Sequence, residues 1–115
     1  MESILSSVKK LLGIMPDDNS FDIDVITHIN TTFLSLTQLG VGPAEGFTIT
    51  DEYTTWDSFV TDKRLEAVKS YMYLKVKQLF DPSLSSTVME SMDRSIKELE
   101  CRLLIMAESI AKENE

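Results

Sequence analysis

The stretch Ile96-Lys97-Glu98-Leu99-Glu100-Cys101-Arg102-Leu103-Leu104-Ile105-Met106-Ala107-Glu108-Ser109-Ile110 holds two apolar patterns at once. Ile96, Leu99, Leu103, Met106 and Ile110 advance by alternating steps of three and four, a heptad-like helical seam. Leu104, Ile105 and Cys101 lie off that seam and make a second apolar surface. Val88 and Met92 extend the seam backwards, so one helix is predicted from Ser85 or Ser86 nearly to the last residue. An end helix of a small monomer normally needs one buried stripe, not two. At about 1.5 Å per residue, roughly 28 residues make a rod of about 40 Å. A compact chain of this mass has a radius of gyration of only about 13 Å. The long helix is therefore expected to project beyond its own core or to bridge subunits. The plainer alternative is a helix that frays after Ala107, where Glu108, Lys112, Glu113 and Glu115 take over.

Working towards the N-terminus, Leu65, Val68, Met72, Val76 and Leu79 predict a helix over 62–80, flanked by Tyr71, Tyr73 and Phe80. Asp81-Pro82 should end it, since a residue before proline is steered out of helical geometry. Val25, Ile26, Ile29, Phe33, Leu36 and Leu39 predict another helix, capped by Ser20 or Asp22 and ending at Gly40. Ile4, Leu5, Val8, Leu11 and Leu12 predict a first helix, with Lys9 and Lys10 suited to its negative end and Gly13 as its stop. Between Gly40 and Thr55 the pattern changes. Gly40-Val41-Gly42-Pro43 reads as a turn, and Phe47-Thr48-Ile49-Thr50 alternates like a short strand. Tyr53 and Trp56 follow, and residues 55–59 read as a single helical turn. The expected fold is mainly α: about four helices, the last one long, with a short β-hairpin or extended loop near residues 40–55. The helix over 62–80 and the inner stripe of the last helix are expected to form the core.

The 115 residues set a ceiling of one domain, read as 1–115. Composition is ordinary for a globular chain, at 43% apolar and 26% charged residues, which argues against wholesale disorder. Nineteen acids against eleven Lys and Arg give a net charge of −8, a poor match to nucleic acid or an anionic membrane. No apolar run reaches the roughly 20 residues that span a bilayer, and Met1-Glu2-Ser3-Ile4-Leu5 does not read as a signal peptide. The lone Cys101 forms no internal disulfide and suits a reducing compartment. Charge is unevenly spread. No Lys or Arg lies between Leu11 and Asp62, where Asp17, Asp18, Asp22, Asp24, Glu45, Asp51, Glu52 and Asp57 fall. Lys63, Arg64, Lys69, Lys75 and Lys77 follow against Glu66. Such asymmetry suits head-to-tail contacts between copies, which close into rings or run on as filaments; the alternative is two solvated faces.

Motifs for chemistry fail one by one. His28 is the single histidine, with Asp24 its sole local carboxylate, and reads as a helix-surface residue. Cys101 has no histidine to activate it and reads as packing. One His and one Cys do not build a structural zinc site. Asp17, Asp18, Asp22 and Asp24 miss the calcium-loop pattern, lacking its central Gly and carrying His28 at the twelfth position, so they read as helix caps. Gly40-Val41-Gly42-Pro43 is too short to cradle a phosphate. No Gly-x-Ser-x-Gly elbow occurs. The basic residues 63, 64, 75 and 77 spread around their helix, which disfavours a nucleic-acid recognition helix despite Tyr71 and Tyr73. No enzyme, cofactor, metal site or catalytic residue is predicted.

Several strings, taken in order, carry a family resemblance. They are Leu11-Leu12-Gly13-Ile14, Phe21-Asp22 leading into His28-Ile29-Asn30, and Gln38-Leu39-Gly40-Val41-Gly42-Pro43. Trp56-Asp57-Ser58-Phe59, Arg64-Leu65-Glu66-Ala67-Val68-Lys69-Ser70-Tyr71, Leu74-Lys75-Val76-Lys77, Phe80-Asp81-Pro82 and Glu98-Leu99-Glu100 complete the set. The chain resembles the head–tail connector (adaptor) family of tailed bacteriophages and prophage-derived gene clusters. Two positions depart from it: Ser83 stands where many relatives have a second proline, and Cys101 where they often have Trp. The resemblance implies a non-catalytic virion subunit at the neck, beneath the portal, with host cytoplasm as the place of assembly. It implies a ring of about twelve copies that extends the DNA channel, through which double-stranded DNA passes without sequence-specific binding. It also implies docking on the portal protein and a seat for a stopper or tail-completion protein. By analogy, the last helix around Arg102 to Ile110 is expected to reach the portal or a neighbouring subunit, and the loop from Gly40 to Thr55 another neck component. The competing expectation is a free-standing helical protein-interaction module of prophage or bacterial origin.

Overall fold

The computed structural model of the chain describes residues 2–81 and 85–113. Four helices appear in order: α1 (Ile4–Leu11), α2 (Asp22–Gln38), α3 (Leu65–Phe80) and α4 (Ser86–Glu113), with a 3₁₀ turn at Trp56–Ser58 before α3. The mainly α expectation holds, and α4 is a continuous helix of 28 residues with no break at Ala107. The envelope measures 45 × 35 × 20 Å with a radius of gyration of 14.3 Å, so the molecule is a slab and not a sphere. The slab follows from the order of packing. α3 lies between α2 and α4 and touches both, while α1 leans on α2 and α3.

Local chemistry sets the helix ends. Ser3 caps α1, its hydroxyl accepting from the Ser6 N–H at 3.2 Å. α2 ends in a paired-bond cap: the Gly40 N–H reaches Thr37 O at 3.0 Å and the Val41 N–H reaches Leu36 O at 3.0 Å. Gly40 takes the left-handed φ of 82° that this cap requires. Gly13 closes α1 in the same way. The start of α2 differs from expectation. No side chain caps it, and Phe21 occupies the N-cap position. Asp18 instead accepts from the Ser20 N–H and hydroxyl, closing the preceding turn. Asp22 forms an ion pair with Lys9 Nζ at 2.8 Å. These acids organise the α1–α2 connection and do not cap a helix. Pro82, expected to stop α3, lies outside the described residues; Asp81 before it is already extended, at φ −115° and ψ 88°.

The core centres on α2 and α3. Val25, Ile29, Phe33 and Leu36 of α2 meet Val68, Tyr71, Met72 and Val76 of α3, with Ile4, Leu5 and Val8 of α1 closing one side. Among the described residues of α4, Ile96 and Leu103 alone are buried. The expectation that α3 and α4 make the core is therefore corrected: α2 supplies more of it. The apolar face of α3 is also rotated from the expected stripe, because a helix between two neighbours buries two sides. Tyr71 is fully enclosed and Leu79 is 46% exposed.

No hairpin forms over 40–55; among the described residues the only β pairing is an isolated antiparallel bridge between Ser3 and Thr55. The alternation at Phe47-Thr48-Ile49-Thr50 reports burial, not a sheet. Ile49 is buried, and the Asn30 side chain serves as its missing strand partner. Asn30 Oδ1 accepts from the Ile49 N–H at 2.8 Å, and Asn30 Nδ2 donates to Ile49 O at 2.9 Å. Phe47 joins Phe33 and Phe59 in a three-ring cluster with centroids 4.7–5.1 Å apart. The loop passes so close to that cluster that a Cβ on Gly42 would clash with the Phe59 ring, at a φ of +84°. Gly42→Ala combines a steric clash with an unfavourable φ. It should lower stability by about 2–4 kcal/mol in urea unfolding. Asn30→Ala should cost about 2–3 kcal/mol by stranding the Ile49 amide and carbonyl.

Candidate functional site

The candidate catalytic residues are scattered. His28 is half-buried on α2 and Cys101 is exposed on α4. Among the described residues no group of three His, Cys, Asp or Glu side chains is placed to hold a metal. Ser20 donates twice to Asp18 and holds its carboxyl below the usual range, and Asp22 is occupied by Lys9. A cleft of about 570 Å³ beside α1 is lined by Leu5, Ser6, Lys9, Ile14, Met15 and Glu52. No helix is long and apolar enough to cross a membrane among the described residues.

The cations of α3 are similarly committed to their own subunit. Arg64 is buried, and its guanidinium donates to both oxygens of Asp62 at 2.9 and 2.7 Å. That bond holds the Asp62 carboxyl below its ordinary range. Lys69 reaches Glu2 at 3.3 Å and Glu66 at 3.9 Å, and Lys77 reaches Asp81 at 3.9 Å. Lys75 lies 6.0 Å from the Tyr71 ring centroid. α3 thus presents no continuous basic face to a duplex. The basic-helix half of the charge argument for head-to-tail pairing weakens for the same reason.

What remains is a surface. On α4, Ile96 and Leu103 turn inward and Leu99 packs against the core, while Leu104 and Ile105 are 44% and 59% exposed beside Cys101. The second apolar pattern therefore faces solvent within a single chain. Its orientation is fixed from below. The Tyr71 hydroxyl donates to Glu100 Oε2 at 2.8 Å, joining α3 to α4. Burial, with the Glu100 carboxylate next, pushes the phenol above its ordinary pKa of 10.0. Reading the sequence placed Tyr71 at the flank of its helix and missed this node. The signal available was its position one residue from Met72 and three from Val68.

Compared with known protein families, residues 4–109 match the family described as phage connector protein. The chain belongs to the phage connector protein family, a family of structural virion proteins of the neck. No curated protein and no solved structure matches it significantly.

Tyr71→Phe keeps the ring and removes the hydroxyl, so the cost should be on the order of 1–2 kcal/mol at neutral pH. A phenol whose pKa is raised on folding contributes stability below its unfolded value and loses it as pH rises further. The stability gap between wild type and Tyr71→Phe should be constant up to about pH 10 and narrow above it, as read by urea unfolding across pH.

Proposed function

We propose that the chain, folded as a single domain over 1–115, is one subunit of a homo-oligomeric ring of about twelve copies at the portal vertex. The ring docks on the portal protein, extends the DNA channel and offers a seat to a stopper or tail-completion protein. Assembly takes place in host cytoplasm. Double-stranded DNA passes through without being read, and a net charge of −8 favours sliding over sticking. No catalytic step, metal or cofactor belongs to this role. The observation that carries the reading is the connector-family match over 4–109 together with an exposed apolar face on a 28-residue helix. Solvent-facing Leu104 and Ile105 are what a subunit keeps for a partner. The distal part of α4, around 102–110, serves a neighbouring subunit or the portal. The loop 40–55 points Tyr53, 80% exposed, and Glu52 towards another neck component.

Native mass spectrometry and electron microscopy of the protein, alone and mixed with portal-bearing, tail-less capsids, test this. The expected result is a closed ring of about twelve times 13.0 kDa, or added ring density beneath the portal. A monomer or dimer that also ignores portals from its own source would instead identify a free-standing helical interaction module.

A further inference from the structure

The three most exposed large apolar side chains among the described residues are Ile23, Tyr53 and Met15, at 82%, 80% and 66%. They come from different parts of the chain, yet all three border one depression. The cleft of about 570 Å³ beside α1 has Leu5, Ile14 and Met15 in its lining. A second hollow, of about 350 Å³, has Ile23, Ile26 and Tyr53 in its own. Leu5 and Glu52 line both, so the two hollows meet there as one groove between α1, the start of α2 and the loop before Thr54. Apolar side chains gathered in this way mark a contact site, whereas exposed ones scattered singly do not.

Both walls of the groove are held by bonds within the chain. On one side the Ile14 N–H donates to Lys9 O at 2.9 Å, and Lys9 Nζ reaches Pro16 O at 3.5 Å and Asp22 at 2.8 Å. On the other, the Tyr53 N–H donates to Asp51 Oδ1 at 2.9 Å and the Ile4 N–H to Thr54 O at 3.0 Å. A groove already shaped spends little freedom when it is filled.

Charge selects the occupant. The charged side chains lining the two hollows are Lys9, Lys10, Asp22, Asp51 and Glu52. Lys9 and Asp22 neutralise each other, which leaves Lys10 against Asp51 and Glu52. The bordering stretches, 13–24 and 50–53, add Asp17, Asp18 and Asp24 and no Lys or Arg.

We infer that the groove takes an apolar segment of another neck protein, one that carries more Lys and Arg than Asp and Glu beside its apolar residues. A second copy of this chain is the poorer match, because its net charge is −8. The assignment rests on the reading of the 40–55 loop as a contact for another neck component, and it names the chemistry of that contact.

The test is made in assembled particles carrying the full-length chain. With p-benzoylphenylalanine in place of Met15 or Ile23, ultraviolet light should join this chain to one segment of a different protein. Mass spectrometry of the joined peptide should show apolar residues among an excess of Lys and Arg. The same group in place of Thr61, exposed and outside both hollows, should not join that segment. At low ionic strength Glu52→Lys should lower the yield by about fivefold or more and Lys10→Glu should raise it, each variant confirmed folded by circular dichroism. If microscopy shows rings while positions 15 and 23 join nothing, join only second copies of this chain, or join an acidic segment, the groove assignment is overturned and the ring reading stands. Equal losses from Glu52→Lys and Lys10→Glu also overturn it, since charge then selects nothing. Joining to a basic, apolar segment without rings keeps the groove and overturns the ring; absence of both overturns both.

Discussion

The hydroxyl of Tyr71, buried between helices, ties the long helix to α3 through Glu100. α4 carries a long apolar seam, Ile96, Leu99, Leu103, Met106 and Ile110, and a short second patch at Leu104 and Ile105. Burial of an apolar side chain is worth about 1.5–3 kcal/mol. The longer seam therefore turns inward. A buried phenol without an acceptor costs about 1–3 kcal/mol, and Glu100 is the carboxylate that meets it. The contact ties α4 to α3 at one point of its length, with Ile96 and Leu103 turned in and Leu104 and Ile105 left exposed.

A second constraint holds the other end of the slab. The long segment between α2 and α3 has no strand pairing of its own beyond the Ser3–Thr55 bridge. It is pinned by side chains: Asn30 on Ile49, Phe47 among the aromatic rings, and Trp56, whose indole donates to Ser7 Oγ at 2.8 Å. The pins lie on the inner side, so Tyr53 and its acidic neighbours stand outward on a fixed base. A loop presented in this manner meets a partner with little entropy left to lose.

Much of this was legible from residue spacing. The four helices, the glycine stops of α1 and α2, the single turn at Trp56 and the unbroken α4 follow from local periodicity and caps. So does the existence of a second apolar surface near Leu104, which the structure leaves exposed. The failures share one cause, tertiary partners distant in sequence. Asn30 replacing a strand for Ile49 spans nineteen positions, and no local pattern announces it. Lys9 drew Asp22 away from capping α2. Tyr71 looked peripheral because a helix packed on two sides has no single stripe.

The connector-family match and the exposed α4 face point to a protein that works by being placed. Its function is then a matter of which surfaces are covered in the assembled particle. The most direct measurement is a reconstruction of the complete neck at a resolution that shows side chains. Leu104 and Ile105, with the segment 102–110, are expected to be covered by another chain. A complete ring in which 102–110 touches only its own subunit would contradict it.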